Sequence, residues 1–142
     1  MNVNDAKITS LYVSHTGAVK DIQDDAPNAN TPAGTKFRVT LEMVAGHAVG
    51  GLYDLRTTCT DLTDVKHVPA LDPGAPLNVS GALFGPPAPE WVADGPINVF
   101  NHSEPISPPT GQKGHVYRYT ASLHSANGEI VSIRQSDPFI LL

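Results

Sequence analysis

At 142 residues and a formal net charge of −5, the chain is the size of one domain and can bury a core without disulfides or a structural metal. Charged residues make up only 16%, against about a quarter in ordinary domains, and the nine lysines and arginines stand singly, so no basic stripe is offered to a nucleic acid. Thirteen prolines and twelve glycines interrupt any long helix, and the single cysteine, Cys59, excludes an internal disulfide and a cysteine-based zinc cage.

The start of the chain lacks a basic segment followed by an apolar one, and no apolar run has bilayer-spanning length. The expectation is a cytoplasmic protein with no membrane partner, a mature secreted form being the alternative. Residues 1–142 read as a single domain. Its first strand is 6–14, carrying Ile8, Leu11, Tyr12 and Val13. Residues 16–35 form a polar loop whose acidic part, 21–30, holds Asp21, Asp24, Asp25, Asn28 and Asn30. Those oxygens could serve calcium, but the spacing and central glycine of a calcium hand are missing, which favours a solvated loop.

Strand 36–45 alternates cleanly, with Phe37, Val39, Leu41, Met43 and Ala45 on one face and Lys36, Arg38, Thr40 and Glu42 on the other. A second alternating strand runs from Val49 to Cys59, and Gly50 and Gly51 at its start suggest a bulge. The region of about 69–110 reads as Pro-rich loop and holds ten of the thirteen prolines, all of them between 69 and 109. Only the short strands 77–84 and 97–100 fit there, with 85–91 extended as polyproline II between them. Strand 116–124, the turn Ala126-Asn127-Gly128, strand 129–134 and an apolar segment 139–142 complete the chain. The sum is an all-β protein of seven or eight strands, an antiparallel sandwich.

The stretch Gly114-His115-Val116-Tyr117-Arg118-Tyr119 resembles the tyrosine corner of immunoglobulin-like folds, in which a tyrosine early in the penultimate strand bonds back to the preceding loop. The resemblance covers the terminal hairpin only. It implies an immunoglobulin-like antiparallel β-sandwich of seven or eight strands, with Tyr117 as the corner and Tyr119 where antibody domains carry their second cysteine. With no cysteine pair and no tryptophan in the middle strands, an antibody-type domain is disfavoured, leaving a fibronectin type III-like sandwich or another of that class.

No catalytic residue follows from the sequence. A Gly-x-Ser-x-Gly elbow is absent, and Cys59 takes an inward strand position suited to a small buried hydrophobe. The six histidines (15, 47, 67, 102, 115 and 124) show no two- or four-residue spacing, so no metal ligand and no cofactor is assigned. Trp91, with Phe84 and Phe100 nearby in sequence, is the candidate anchor for a partner or ligand. Its alternative is a plug over one open end of the sandwich. The leading function is a non-catalytic interaction module with a protein partner, self-associating as a dimer through a bare sheet edge. The alternative is a small-ligand or carbohydrate binder that uses loop aromatics around Trp91. An enzyme ranks third.

Overall fold

The computed structural model describes residues 6–14, 36–47, 49, 51–84, 90–107 and 114–141. The acidic loop 21–30, His15 and the proline run at 85–89 lie outside the described residues. Within them the strands are β1 (Ala6–Ser14), β2 (Phe37–Gly46), β3 (Leu52–Asp61), β4 (Lys66–His67), β5 (Val79–Leu83), β6 (Trp91–Asp94), β7 (Ile97–Ile106), β8 (Val116–Ser125), β9 (Ile130–Gln135) and β10 (Phe139–Ile140), with a 3-10 turn at Pro69–Leu71. A four-stranded sheet has the order β1-β2-β7-β6, and a six-stranded one the order β10-β8-β3-β4, with β5 also on β3 and β9 also on β8. Every pairing is antiparallel. The protein is an all-β sandwich, with ten described strands where the sequence suggests seven or eight. The additional ones include β4 and β10, which are two residues long and too short to show a periodicity.

The sandwich follows from period-two burial. On β2, Phe37, Val39, Leu41, Met43 and Ala45 are at most 2% exposed, and on β8 Tyr117, Tyr119, Ala121 and Leu123 are at most 1% exposed. These two rows, joined by Leu55 and Cys59 of β3 and Leu11 and Val13 of β1, form one core between the sheets. Each fully buried large side chain in it contributes roughly 1.5–3 kcal/mol of transfer free energy. The chain changes sheet after β2, after β5 and after β7.

β7 runs on to Ile106, six residues past the end expected from the proline density. Among the described residues β6 pairs with Ile97 to Phe100, and Pro105 sits opposite Arg38, where the only described neighbour of β7 is β2. A strand with a free side tolerates a residue that cannot donate. The last hairpin closes as expected. Ser125 N donates to Glu129 O, Gly128 N donates to Ser125 O, and Gly128 takes φ 81°, the left-handed position of a three-residue hairpin loop.

Candidate functional site

Trp91, Phe84 and Phe100 do meet. Trp91 opens β6, Phe84 follows β5, and Phe100 lies opposite Trp91 on β7. Ring centroids are 4.3 Å apart for Phe84–Trp91 and 5.5 Å for Trp91–Phe100, and Tyr53 of β3 joins at 4.6 Å from Phe84. The four rings cross from one sheet to the other at the end where β3 begins. Trp91 is 9% exposed, Phe84 6% and Phe100 3%, so the indole fills the core. Eight of the nine aromatic side chains are buried, and Tyr53 is half-buried.

Tyr117 and Tyr119 close the opposite end. Phe139 stacks on Tyr119 at 5.7 Å and lies 5.8 Å from Tyr117 and 5.7 Å from Phe37. The Tyr119 hydroxyl donates to Leu71 O at 2.6 Å, a buried bond that ties β8 to the turn 48 residues upstream. Burial first, then Asp61, pushes the Tyr117 phenol up to about 12. Burial and then Asp72 push the Cys59 thiol up to about 12, a neutral core group.

At this end β3 finishes in Asp61, 1% exposed. Its Oδ1 accepts the amides of Thr63 and Asp64 at 2.9 and 3.0 Å, which shapes the turn after the strand. Its Oδ2 lies 2.6 Å from Nδ1 of His115, and Asp64 Oδ2 is 3.7 Å from the same nitrogen. Burial alone would lift the Asp61 carboxyl, but His115 and the two amides outweigh it and hold the group below its usual range. The hydrogen bond to Asp61 raises His115 in turn.

Asp61, Asp64 and His115 are the described residues that come nearest to a cation-binding set. Two ligands about 2.0–2.1 Å from one tetrahedral ion stand about 3.3 Å apart. At 2.6 Å the Asp61–His115 contact is a short, charge-assisted hydrogen bond, and the cluster works as a clasp between the end of β3 and the start of β8. Two other histidines, His67 and His102, also meet carboxylates. His67 meets Asp72 at 2.6 Å, and Asp72 also accepts the Cys59 amide. His102 lies 3.3 Å from Glu90 and 3.2 Å from Glu104.

A different feature distinguishes the last strands. Ile130, Val131, Ile133 and Ile140 are large apolar side chains left exposed on β9 and β10. Their position follows from an irregularity in the β8–β9 ladder. His124 pairs Ile130 and Leu123 pairs Ser132, so Val131 is an extra residue, a bulge. The bulge puts both Ile130 and Ile133 on the outer face, opposite His124 and Ser122. Ser132 turns inward, where its hydroxyl accepts the Ile8 amide of β1 at 3.0 Å. Sequence reasoning did not single these residues out. The available signal was that apolar residues at 130, 131 and 133 cannot share one face of a regular strand.

No family model matches the chain, and no curated protein matches it. Among solved structures, it is similar to one described as a putative beta-galactosidase from Bacteroides fragilis, at 12% identity and a TM-score of 0.49. The match spans 94% of this chain but only 17% of that one, and a likeness of this degree says nothing about activity. No helix among the described residues is long and apolar enough to cross a membrane.

Proposed function

We propose that this chain is a non-catalytic interaction module that associates, first of all with its own copies, through the exposed apolar side chains of β9 and β10. The observation that carries this reading is the concentration of exposed large apolar side chains there: Ile130, Val131, Ile133 and Ile140 fall within eleven residues. Singly exposed apolar residues are ordinary, whereas a contiguous group marks a contact surface. Among the described residues β9 pairs only with β8, and β1 lies against it with the Ile8 amide on Ser132 Oγ, so the apolar side chains are offered by its outer face. A sugar-binding platform needs open aromatic rings, and eight of nine are buried, which favours association over the carbohydrate alternative. The non-catalytic part of the reading is supported by His67 and His115, whose partners Asp72 and Asp61 also accept backbone amides, and by His102, which lies against Glu90 and Glu104.

An immunoglobulin-like or fibronectin type III-like arrangement belongs to the same proposal. Its support is the strand order: β1-β2-β7-β6 corresponds to A-B-E-D and β9/β10-β8-β3 to G-F-C. The Tyr119 hydroxyl bond supports it more weakly, because the corner was expected at Tyr117 and the bond reaches 48 residues back instead of a few. Light scattering at tens of micromolar tests the association directly. A dimer mass is expected, and a monomer mass at that concentration contradicts the reading.

A further inference from the structure

We propose that the outer face of the six-stranded sheet packs on the same face of a second copy of the chain, about a two-fold axis that lies in the interface and runs lengthwise between β3 and β8. The inference rests on the association reading above and gives it a partner and a register.

The face follows from the strand ladders. The inward rows of β3 and β8 are buried, so the alternate residues from Asp54 to Thr60 and from Val116 to His124 face outward. The Leu62 amide donates to Val116 O, which carries the ladder one pair past Asp61 and puts Leu62 in the outward row. Val116 pairs Ile140 of β10 on its other side. Leu62, Val116 and Ile140 therefore form an apolar row across three strands at one end of the face, with Leu62 37% and Ile140 41% exposed. Ile133 and Ile130 extend the apolar border along β9. Inside this border the floor is short: Thr58, Thr60, Thr120 and Ser122 let two sheets approach closely.

A two-fold axis in this direction exchanges β3 with β8 and keeps each position along the strands, so every outward residue meets the partner's copy of its own ladder mate. Leu62 meets the partner's Val116, Thr58 the partner's Thr120, and Asp54 the partner's His124. The arginines fall on hydroxyls, Arg118 on the partner's Thr60 and Arg56 on the partner's Ser122, and no row sets like charges together. Other in-plane axes fail. One along β8 sets Arg118 on the partner's Arg118, and one across the strands through Thr58 and Thr120 sets Leu62 on the partner's Asp54. Asp54 Oδ1 accepts both Ser80 Oγ and Gly81 N, while Oδ2 has no hydrogen bond among the described residues. Ile130, Ile133 and Ile140 overhang the partner's β4 and β5, beside a turn whose Val65 is 83% exposed. With strands about 4.8 Å apart and alternate residues about 6.8 Å apart, the face covers roughly 500 Å² per copy, which meets the roughly 1,000 Å² total of a specific interface. The four-stranded sheet fits less well: on its outer side Ser10, Tyr12, Ser14 and Thr40 are buried, and Val92 is its one exposed large apolar side chain among the described residues.

The test is sedimentation equilibrium on the full chain and four variants, with far-ultraviolet circular dichroism and urea melts checking each fold. Thr120 faces outward in the middle of the face, so Thr120→Arg leaves the core intact and is expected to weaken the dimer at least about thirtyfold. Leu62→Lys and Val116→Glu, made in separate chains at the rim, are each expected to weaken their own dimer about tenfold. An equimolar mixture of those two chains is expected to recover most of that loss. In the mixed dimer the lysine meets the glutamate on one side of the axis, and the other side keeps the Leu62–Val116 contact. Val92→Asp on the opposite sheet is expected to change nothing. A wild-type dimer indifferent to Thr120→Arg overturns this interface while leaving self-association standing. Rim variants that weaken the dimer singly but do not recover when mixed overturn the two-fold register. A wild-type monomer overturns both readings.

Discussion

Thr57 sits in the core at 0% exposure, and its hydroxyl oxygen has no hydrogen-bond partner among the described residues. A buried, unpaired oxygen costs about 1–3 kcal/mol, and valine has nearly the same shape. Thr57→Val is expected to raise the urea midpoint by an amount worth about 1 kcal/mol, and a fall would show that the hydroxyl is paired. Tyr119 is the opposite case. Tyr119→Phe strands the Leu71 carbonyl and is expected to cost about 1–3 kcal/mol in the same melts. Trp91→Ala opens a cavity between Phe84 and Phe100 and is expected to cost about 3–5 kcal/mol of stability. Its fluorescence should already be blue-shifted and shielded from quencher in the folded monomer, and a red, quenchable emission would contradict the burial. The sequence could single out Trp91, Phe84 and Phe100, but their packing depends on β5, β6 and β7 being brought together by pairing between sheets and strands distant in the chain. Local composition carries no such information.

At the scale of the elements, the strands with strict alternation, β2 and β8, were readable because one face is wet and the other packed. β7 was readable only at its start: proline density suggested a break, but the strand continues along β2 as far as Ile106. The Asp61–His115 clasp was invisible for a similar reason, since its halves lie 54 residues apart and meet only through the β3–β8 pairing. That clasp sets a pH dependence. The raised His115 contributes stability that is complete below its unfolded value near 6.5 and is lost as pH climbs through its folded value. The depressed Asp61 contributes stability that is complete above its unfolded value near 3.8 and is lost as pH falls through its folded value. The two together are fully present from about pH 4 to about pH 6.5. His115→Asn is therefore expected to destabilise most at pH 5 and progressively less above neutrality. Urea melts at pH 5, 7 and 9 read this, and a pH-independent difference would show that the imidazole only fills space.

At the scale of the whole molecule, composition and periodicity were enough for an all-β sandwich, because low charge, many prolines and glycines and period-two patterning leave few other architectures. The association surface was less legible. It arises from one bulge that turns two isoleucines outward, and a bulge leaves almost no trace in composition. The long alternating strand 36–45 offers no bare edge, since β2 is central, flanked by β1 and β7, and the exposed apolar side chains lie on β9 and β10 instead. Amide hydrogen exchange followed by mass spectrometry, run at high and at low protein concentration, tests that assignment most directly. The prediction is that amides of β9 exchange more slowly at high concentration while those of β6 do not change. Exchange in β9 that is the same at both concentrations, in a sample whose mass is dimeric, would place the contact surface elsewhere and contradict the account.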